Sequence, residues 1–468
     1  MSAAALPVGV GAPRRRRGTE AGLVLFAVAV TAVAAAAAAI GRTNTLTLSV
    51  LRDTAVLLAL AAVAHIAVRQ LAPYADPLIL PLTVLLCGLG LVIIGRIDGG
   101  TTSRAYAPLQ LVWIGIGVGV FVAVLALVRD HRVLGRYGYT AALAGLVLLL
   151  APSVLPARYS EVNGSRVWIR FSGFSVQPSE IAKLLLIIFF ASYLVAKRDV
   201  MSVVTRSFLG LPLPRARDMG PVLIAWLASI AVLVREKDLG SSLLFFGRFI
   251  AVLYVATERT SWLAVGLLLF AGGAVASYQL FSHVRERVDI WLHPFVARNV
   301  LSSSYQLAQG LYGLAGGGLL GTGLGRGHPE LVPYSRSDFV VAALGEEIGF
   351  IGIFALLVIY GLIVARGLRA ALGVRDSFGK LLAGGLSISL ALQVFVVVGG
   401  VMRLIPLTGL TTPFLSYGGS SVVANFALVA LLLRVSDAAR RPPPVLPDAP
   451  TSSILRTADA PTQAVPRR

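Results

Sequence analysis

Arginines are concentrated in the hydrophilic segments that separate the apolar runs of this chain. Arg158, Arg166 and Arg170 lie in one segment, Arg285, Arg287, Arg298, Arg326 and Arg336 in a second, and Arg403 in a third. A guanidinium donates two parallel hydrogen bonds to a phosphate, so such a set could seat a diphosphate head group. It could equally anchor the chain by snorkelling to lipid phosphates. Gln177-Pro178-Ser179-Glu180 opens an apolar helix and Lys183 follows one turn later. Glu180 and Lys183 share a helix face, and charges at membrane depth face a partner or a cavity. The pair therefore reads either as a self-neutralising anchor or as cavity lining. Glu346 and Glu347 stand more than two turns inside another apolar run, after Asp338. They read as partners of a buried cation such as Arg248, or as part of a polar cavity. Asp238 belongs to a short polar turn, Glu236 to Gly240. Pro406 to Ser421 is rich in Gly, Pro, Ser and Thr, which implies irregular backbone satisfied by protein or water. His65, His131, His283, His293 and His328 show no metal-ligand spacing. Gly-Thr-Gly-Leu-Gly at 321–325 lacks the preceding strand that a dinucleotide loop requires. Cys87 stands alone, so the chain forms no internal disulfide.

The elements that must position these groups are transmembrane helices. Hydrophobic residues make up 56% of the chain and charged residues 13%, against about 25% charged in soluble domains. Apolar runs at roughly 21–40, 54–69, 77–95, 107–128, 139–155, 179–196, 220–234, 240–257, 261–281, 338–365, 381–402 and 417–433 are each of a length that crosses about 30 Å of hydrocarbon. The expected fold is an all-α polytopic membrane protein with about 12 transmembrane helices and two long extracytoplasmic loops, near 156–178 and 282–337. Within the second loop, Tyr305–Leu320 predicts a short interfacial or re-entrant helix. Residues 1–19 and 436–468 are rich in Pro, Ala, Arg and Thr, and read as disordered cytoplasmic tails around one membrane domain at 20–435. Arg14 to Arg17 precede the first run, so both termini are expected in the cytoplasm, with the chain in the plasma membrane. With a net charge of +19 on a membrane protein, the expected partners are anionic lipids or an anionic lipid-linked substrate, not nucleic acid.

Several of these segments, taken together, resemble the RodA/FtsW family of peptidoglycan polymerases, the SEDS glycosyltransferases. The resemblance is carried by Gln110 and Trp113, by Asn163 to Arg170, by Gln177 to Lys183, by Asp238-Leu239-Gly240 and by Tyr305-Gln306. Ser337-Asp338-Phe339, Gly345 to Gly349 and Pro406 to Ser421 complete it. It covers roughly 75–435, and the additional N-terminal runs and the stretch 375–380 are similar to actinobacterial RodA-like members. The resemblance implies polymerisation of lipid II, an undecaprenyl-diphosphate disaccharide-pentapeptide, outside the plasma membrane beside a class B penicillin-binding protein. It implies substrate-binding roles for Arg166, Arg170, Lys183, Asp238, Gln306, Asp338, Glu347 and Ser416. A divalent cation travelling with the substrate diphosphate is the one candidate cofactor. The family's usual catalytic acid, within an Asp-Pro-x-Gly-x-Gly-Tyr-Gln pattern, has no counterpart in Val296 to Ser304. Asp289 is the leading substitute base, with Glu286 and Glu330 as alternatives. A non-catalytic scaffold and a lipid II flippase are the competing readings.

Overall fold

The computed structural model describes residues 17–101, 105–162, 165–171, 174–202, 206–208, 211–213, 223–224, 227–228, 230–231, 239–296 and 300–442. Its long helices are α1 (Arg17–Thr43), α2 (Leu48–Leu71), α3 (Ile79–Thr101), α4 (Ala107–Leu127), α5 (Gly138–Val154) and α6 (Pro178–Ser202). After them come α7 (Leu239–Thr257), α8 (Thr260–Leu280), α9 (Ser282–Leu292), α10 (Tyr305–Gly317), α11 (Val340–Gly373), α12 (Ser377–Val401) and α13 (Gly419–Arg440). Among the described residues, 10 helices are long and apolar enough to cross a membrane, and Gly138–Val154 is a shorter apolar one. The run expected at 220–234 falls mostly outside the described residues. The helix α10 takes the place of the short helix expected at Tyr305–Leu320.

Apolar side chains turn outward on the peripheral helices, as on α8 at Leu267, Leu268 and Leu280, while α3, α12 and α13 are enclosed by their neighbours. Lipid takes the role of water at such surfaces, so an apolar exterior is the stable arrangement.

Two boundaries differ from the sequence expectation, for the same reason. The first helix begins at Arg17 rather than near Ala21. Arg17 is buried because its guanidinium pairs with Glu20 and donates to the carbonyls of Pro73 (2.9 Å) and Ala75 (2.8 Å). The last helix runs to Arg440, past the expected domain end at 435. Asp437 accepts the Tyr74 amide (2.7 Å), and Arg434 donates to the Leu71 carbonyl (2.7 Å). Charged residues extend these helices because they cap the turn between α2 and α3. Residues 17–19 and 436–440 of the expected tails are therefore helical.

The loop after α5 is not wholly irregular. Antiparallel pairs β1–β2 (Glu161–Val162 with Ser165–Arg166) and β3–β4 (Ile169–Phe171 with Phe174–Val176) form two small hairpins. A further pair joins Arg206–Phe208 to Leu211–Leu213, in a segment expected as a plain loop. Asp98 organises the entry to α4, accepting the amides of Tyr106 (2.6 Å) and Ala107 (2.7 Å) in the manner of a helix cap.

Candidate active site

Helix α11 is broken in mid-span at Gly349, whose φ of +69° lies in the left-handed region. The break frees the carbonyls of Glu346 and Glu347 and the amides of Phe350 and Ile351. All four meet the glycine-rich loop that follows α10. Thr322 and Gly323 donate their amides to the carbonyls of Glu346 (2.9 Å) and Glu347 (3.0 Å). Phe350 and Ile351 donate to the carbonyls of Gly318 (3.0 Å) and Leu319 (3.1 Å). Gly321 packs so closely on this break that neither it nor Gly349 has room for a Cβ.

The two carboxylates tighten the same joint. Glu346 accepts the His328 amide (2.7 Å) and Glu347 accepts the Gly325 amide (3.1 Å). Arg96 of α3 pairs with Glu347 (3.1 Å), donates to the Gly327 carbonyl (2.7 Å) and lies 3.7 Å from Glu330. The buried cation facing these carboxylates is thus Arg96, and not Arg248 as the sequence suggested. Position decides this: Arg96 projects from α3 at the level of the break, whereas Arg248 shares a small cavity with Glu180 and Lys183.

Glu180 and Lys183 form the second cluster. The Lys183 ammonium donates to Glu180 (2.6 Å), to Gln393 of α12 (3.1 Å) and to Asn425 of α13 (3.1 Å). These use all three of its N–H groups. Gln393 passes the network on to the Thr411 carbonyl (3.1 Å), and Asn425 to the Ser421 carbonyl (2.8 Å). The buried Arg248 Nε has no hydrogen-bond partner among the described residues. The pair is therefore self-neutralising and also lines a cavity, so the two sequence readings coexist.

A third group gathers where Pro406 to Ser421 crosses the helix ends. Ser416 donates to the Ser337 carbonyl (2.6 Å) and accepts the Thr412 amide (2.8 Å). Gln110 donates to the Ser416 carbonyl (3.2 Å), and the Gln177 amide donates to Ser420 (2.9 Å). The Trp113 ring lies against Gly419, leaving no room for a Cβ there. Asp338 is half-buried beside Gly409. Arg336 pairs with Asp98 (3.2 Å) and lies 4.8 Å from the centre of the Tyr106 ring.

The arginines of the long loops divide in two. Arg287 donates to the Leu407 carbonyl (2.7 Å), and Arg403 to those of Trp291 (2.8 Å) and Leu292 (2.9 Å), fastening α9 to the 403–407 loop. Arg285 donates to the Gln279 carbonyl (2.9 Å), and Arg158 stacks on Tyr159 (4.6 Å). Arg166 faces Glu161 (3.3 Å), while Arg170 is exposed on β3 with no protein partner among the described residues. Asp289 sits on α9 with its carboxylate 3.3 Å from His293. Gln306 is half-buried in the first turn of α10. Glu347 has both carboxylate oxygens engaged within the protein, and Glu330 lies between Arg96 and His328 (3.2 Å). Asp238 and Arg298 fall outside the described residues. Among the described residues no three His, Cys, Asp or Glu side chains gather where they could hold a metal ion.

Arg96, Asp98, Gln393 and Asn425 were not singled out from sequence. Gln393 and Asn425 are polar residues inside otherwise apolar runs, and that was the available signal. Arg96 was placed just beyond the end of its span, where a charge is unremarkable.

Residues 77–441 match the FtsW, RodA and SpoVE family, described as "Cell cycle protein". The chain belongs to this family. The peptidoglycan glycosyltransferase RodA of Mycobacterium tuberculosis is 50% identical over 384 residues, 81% of each chain. Stage V sporulation protein E of Bacillus subtilis is 33% identical over 77% of this chain and 96% of its own. A solved structure described as "Structural coordination of polymerization and crosslinking by a peptidoglycan synthase complex" superposes with a TM-score of 0.60. It is 29% identical and covers 77% of this chain and 97% of its own. Thermus thermophilus RodA, as a mutant, superposes with a TM-score of 0.55 at 25% identity, over 77% of this chain and 97% of its own. In this FtsW, RodA and SpoVE member, the two helices α1 and α2 precede the matched segment.

Proposed function

We propose that this chain is a peptidoglycan glycosyltransferase that polymerises lipid II during cell elongation or division. The observation that carries the reading is a convergence. Segments far apart in sequence, around Gln110, Gln177–Lys183, Ser337–Asp338 and Pro406–Ser421, are hydrogen-bonded into one assembly. The relatives named glycosyltransferases support it further.

In the reaction, an acceptor hydroxyl oxygen attacks the donor's anomeric carbon and the bond from that carbon to the diphosphate oxygen breaks. Arg170, with Arg166, carries the charge of the departing diphosphate through bidentate contacts. Lys183, held by Glu180, Gln393 and Asn425, fixes the local field from inside the bundle. A base takes the hydroxyl proton. Asp289 is assigned this role. Glu330 suits it less, because it is already placed between Arg96 (3.7 Å) and His328 (3.2 Å) within the protein. The working face lies outside the plasma membrane, both termini lie in the cytoplasm, and a class B penicillin-binding protein is the partner.

Purified chain with such a partner, given lipid II, should produce glycan polymer in the presence of moenomycin. Absence of polymer with every partner tried would overturn the enzymatic reading. One observation favours a second reading: Val296 to Ser304 contains no carboxylate, as expected of a non-catalytic scaffold for the penicillin-binding protein. Arg298→Asp would then confer polymerisation that the natural chain lacks.

A further inference from the structure

Helix α1 lies outside the family-matched segment, yet it is seated on the glycine-rich loop. Gly41 touches the Leu324 carbonyl and Gly325 touches the Ala38 carbonyl, each too closely for a Cβ. Leu324 packs against Ala34, Ala38 and Val92. Beside this joint is an open cleft of about 750 Å³ between the end of α1 and the loop. Its polar lining consists of Arg42, Thr43, Asn44 and Arg326, with the backbone of Gly323, and it includes no carboxylate.

The Arg326 side chain is exposed and has no hydrogen-bond or ion-pair partner among the described residues, its backbone amide donating to the Gly323 carbonyl (3.0 Å). Arg42 donates to the Gly99 carbonyl, which leaves most of its five N–H groups available. Two guanidiniums and a carboxamide form a donor-rich wall without a competing acid, which is the chemistry of phosphate recognition, while the Thr43 hydroxyl donates to the Ala39 carbonyl (3.0 Å). A second cavity, of about 270 Å³ between α1, α2 and α3, also touches Arg42. It contains Asp53, whose charge repels an anion, so the cleft at Arg326 is the better site.

We propose that the cleft between α1 and the glycine-rich loop binds the phosphate group of a membrane lipid through Arg42 and Arg326. The ligand is a phosphodiester or diphosphate head group at the lipid surface. Its source is either an anionic phospholipid or a polyprenyl diphosphate. Because Gly325 and Gly327 of the same loop hold Glu347 and Arg96, a bound phosphate would also hold the loop against the α11 break.

The test uses the full chain in phosphatidylcholine nanodiscs, with bound lipid read by native mass spectrometry. Phosphatidylglycerol and undecaprenyl diphosphate are titrated separately. The double variant Arg42→Ala with Arg326→Ala should lose at least about tenfold in affinity for one of them, the loss of two charge-assisted contacts. Loss for phosphatidylglycerol alone identifies a phospholipid site, and loss for undecaprenyl diphosphate a polyprenyl diphosphate site. The double Arg→Lys variant keeps the charge without the planar fork and should fall between. Arg52→Ala, an exposed residue paired to Asp53, should bind as the natural chain does. Natural affinity for both lipids in the double Ala variant would overturn the proposal. If that variant fails to fold, natural affinity for both in the Lys variant overturns it.

Discussion

Arg96→Ala would strand Glu347, which is 1% exposed and otherwise balanced only by the Gly325 amide. Removing one member of a buried ion pair costs about 3–5 kcal/mol, most of it the penalty of an uncompensated charge. The hydrogen bond to the Gly327 carbonyl disappears too, at about 1 kcal/mol or slightly more. At roughly 2 °C per kcal/mol for a chain of this size, the melting temperature should fall by about 8–12 °C. Glu347→Gln leaves Arg96 with Glu330 at 3.7 Å and the Gly327 carbonyl, and should cost less than Arg96→Ala. Replacing both partners by apolar residues of similar size, Arg96→Met with Glu347→Leu, should recover most of the loss, since no charge is left unpaired. The assay is thermal unfolding of detergent-solubilised protein followed by size-exclusion chromatography, with the natural chain, Arg96→Met, Glu347→Leu and their double variant giving a coupling energy. The reasoning is refuted if Arg96→Ala shifts the melting temperature by less than about 1 °C, or if the two single losses simply add in the double variant.

Asp289→Asn should lower polymerisation by about 10²–10⁴-fold, the usual contribution of a positioned base, while lipid II binding is retained. Arg170→Lys and Arg170→Ala should both weaken lipid II binding, by about tenfold or more, because the lysine lacks the bidentate fork; unchanged binding in both would make Arg170 a lipid anchor. Gly349→Ala should destabilise by at least about 1–2 kcal/mol from the left-handed backbone alone, with the contact against Gly321 added to it; a melting temperature equal to that of the natural chain would contradict the zipped break. Asp376 caps α12, and burial raises its carboxyl pKa, but the Gly379 amide, His131 and Arg132 outweigh this and hold it below the ordinary value. Its stabilisation is therefore present above the unfolded carboxylate pKa and fades as pH falls through the lower folded value, so Asp376→Asn should be most damaging near neutrality and least damaging in acid.

Most of the helices could be read from apolar run length, because a membrane span must satisfy its own backbone and is long in consequence. The family motifs were legible as residues, and the structure brings three of them together: Gln110, Gln177 and Ser337 meet on one irregular segment. The pairing of Glu347 was not legible. It depends on the depth of Arg96 along α3 and on a helix break at Gly349 that leaves no apolar gap in the run. The ends of α1 and α13 were misjudged because Arg17 and Asp437 look like tail residues until the α2–α3 turn is placed against them. The fold leaves Arg166 half-exposed beside Glu161 (3.3 Å) and Arg170 exposed, on two separate hairpins, a division that sequence spacing does not reveal.

The α2–α3 turn also constrains how the protein is made. Asp76 is 1% exposed, and its carboxylate is met by Arg440 and by Arg366 (3.6 Å), while its amide donates to Ser436 (3.1 Å). Arg366, and later Ser436 and Arg440, are synthesised long after Asp76, so the first helices enter the membrane with its carboxylate held locally by the Leu78 amide (2.9 Å) and its charge not yet paired with these arginines. Insertion and assembly are thereby separated in time, the cost of late closure being an unpaired charge at the membrane edge. Helix α13 is the element that closes the structure. A chain that stops before this helix lacks Ser436 and Arg440, two of the partners that close the structure over Asp76.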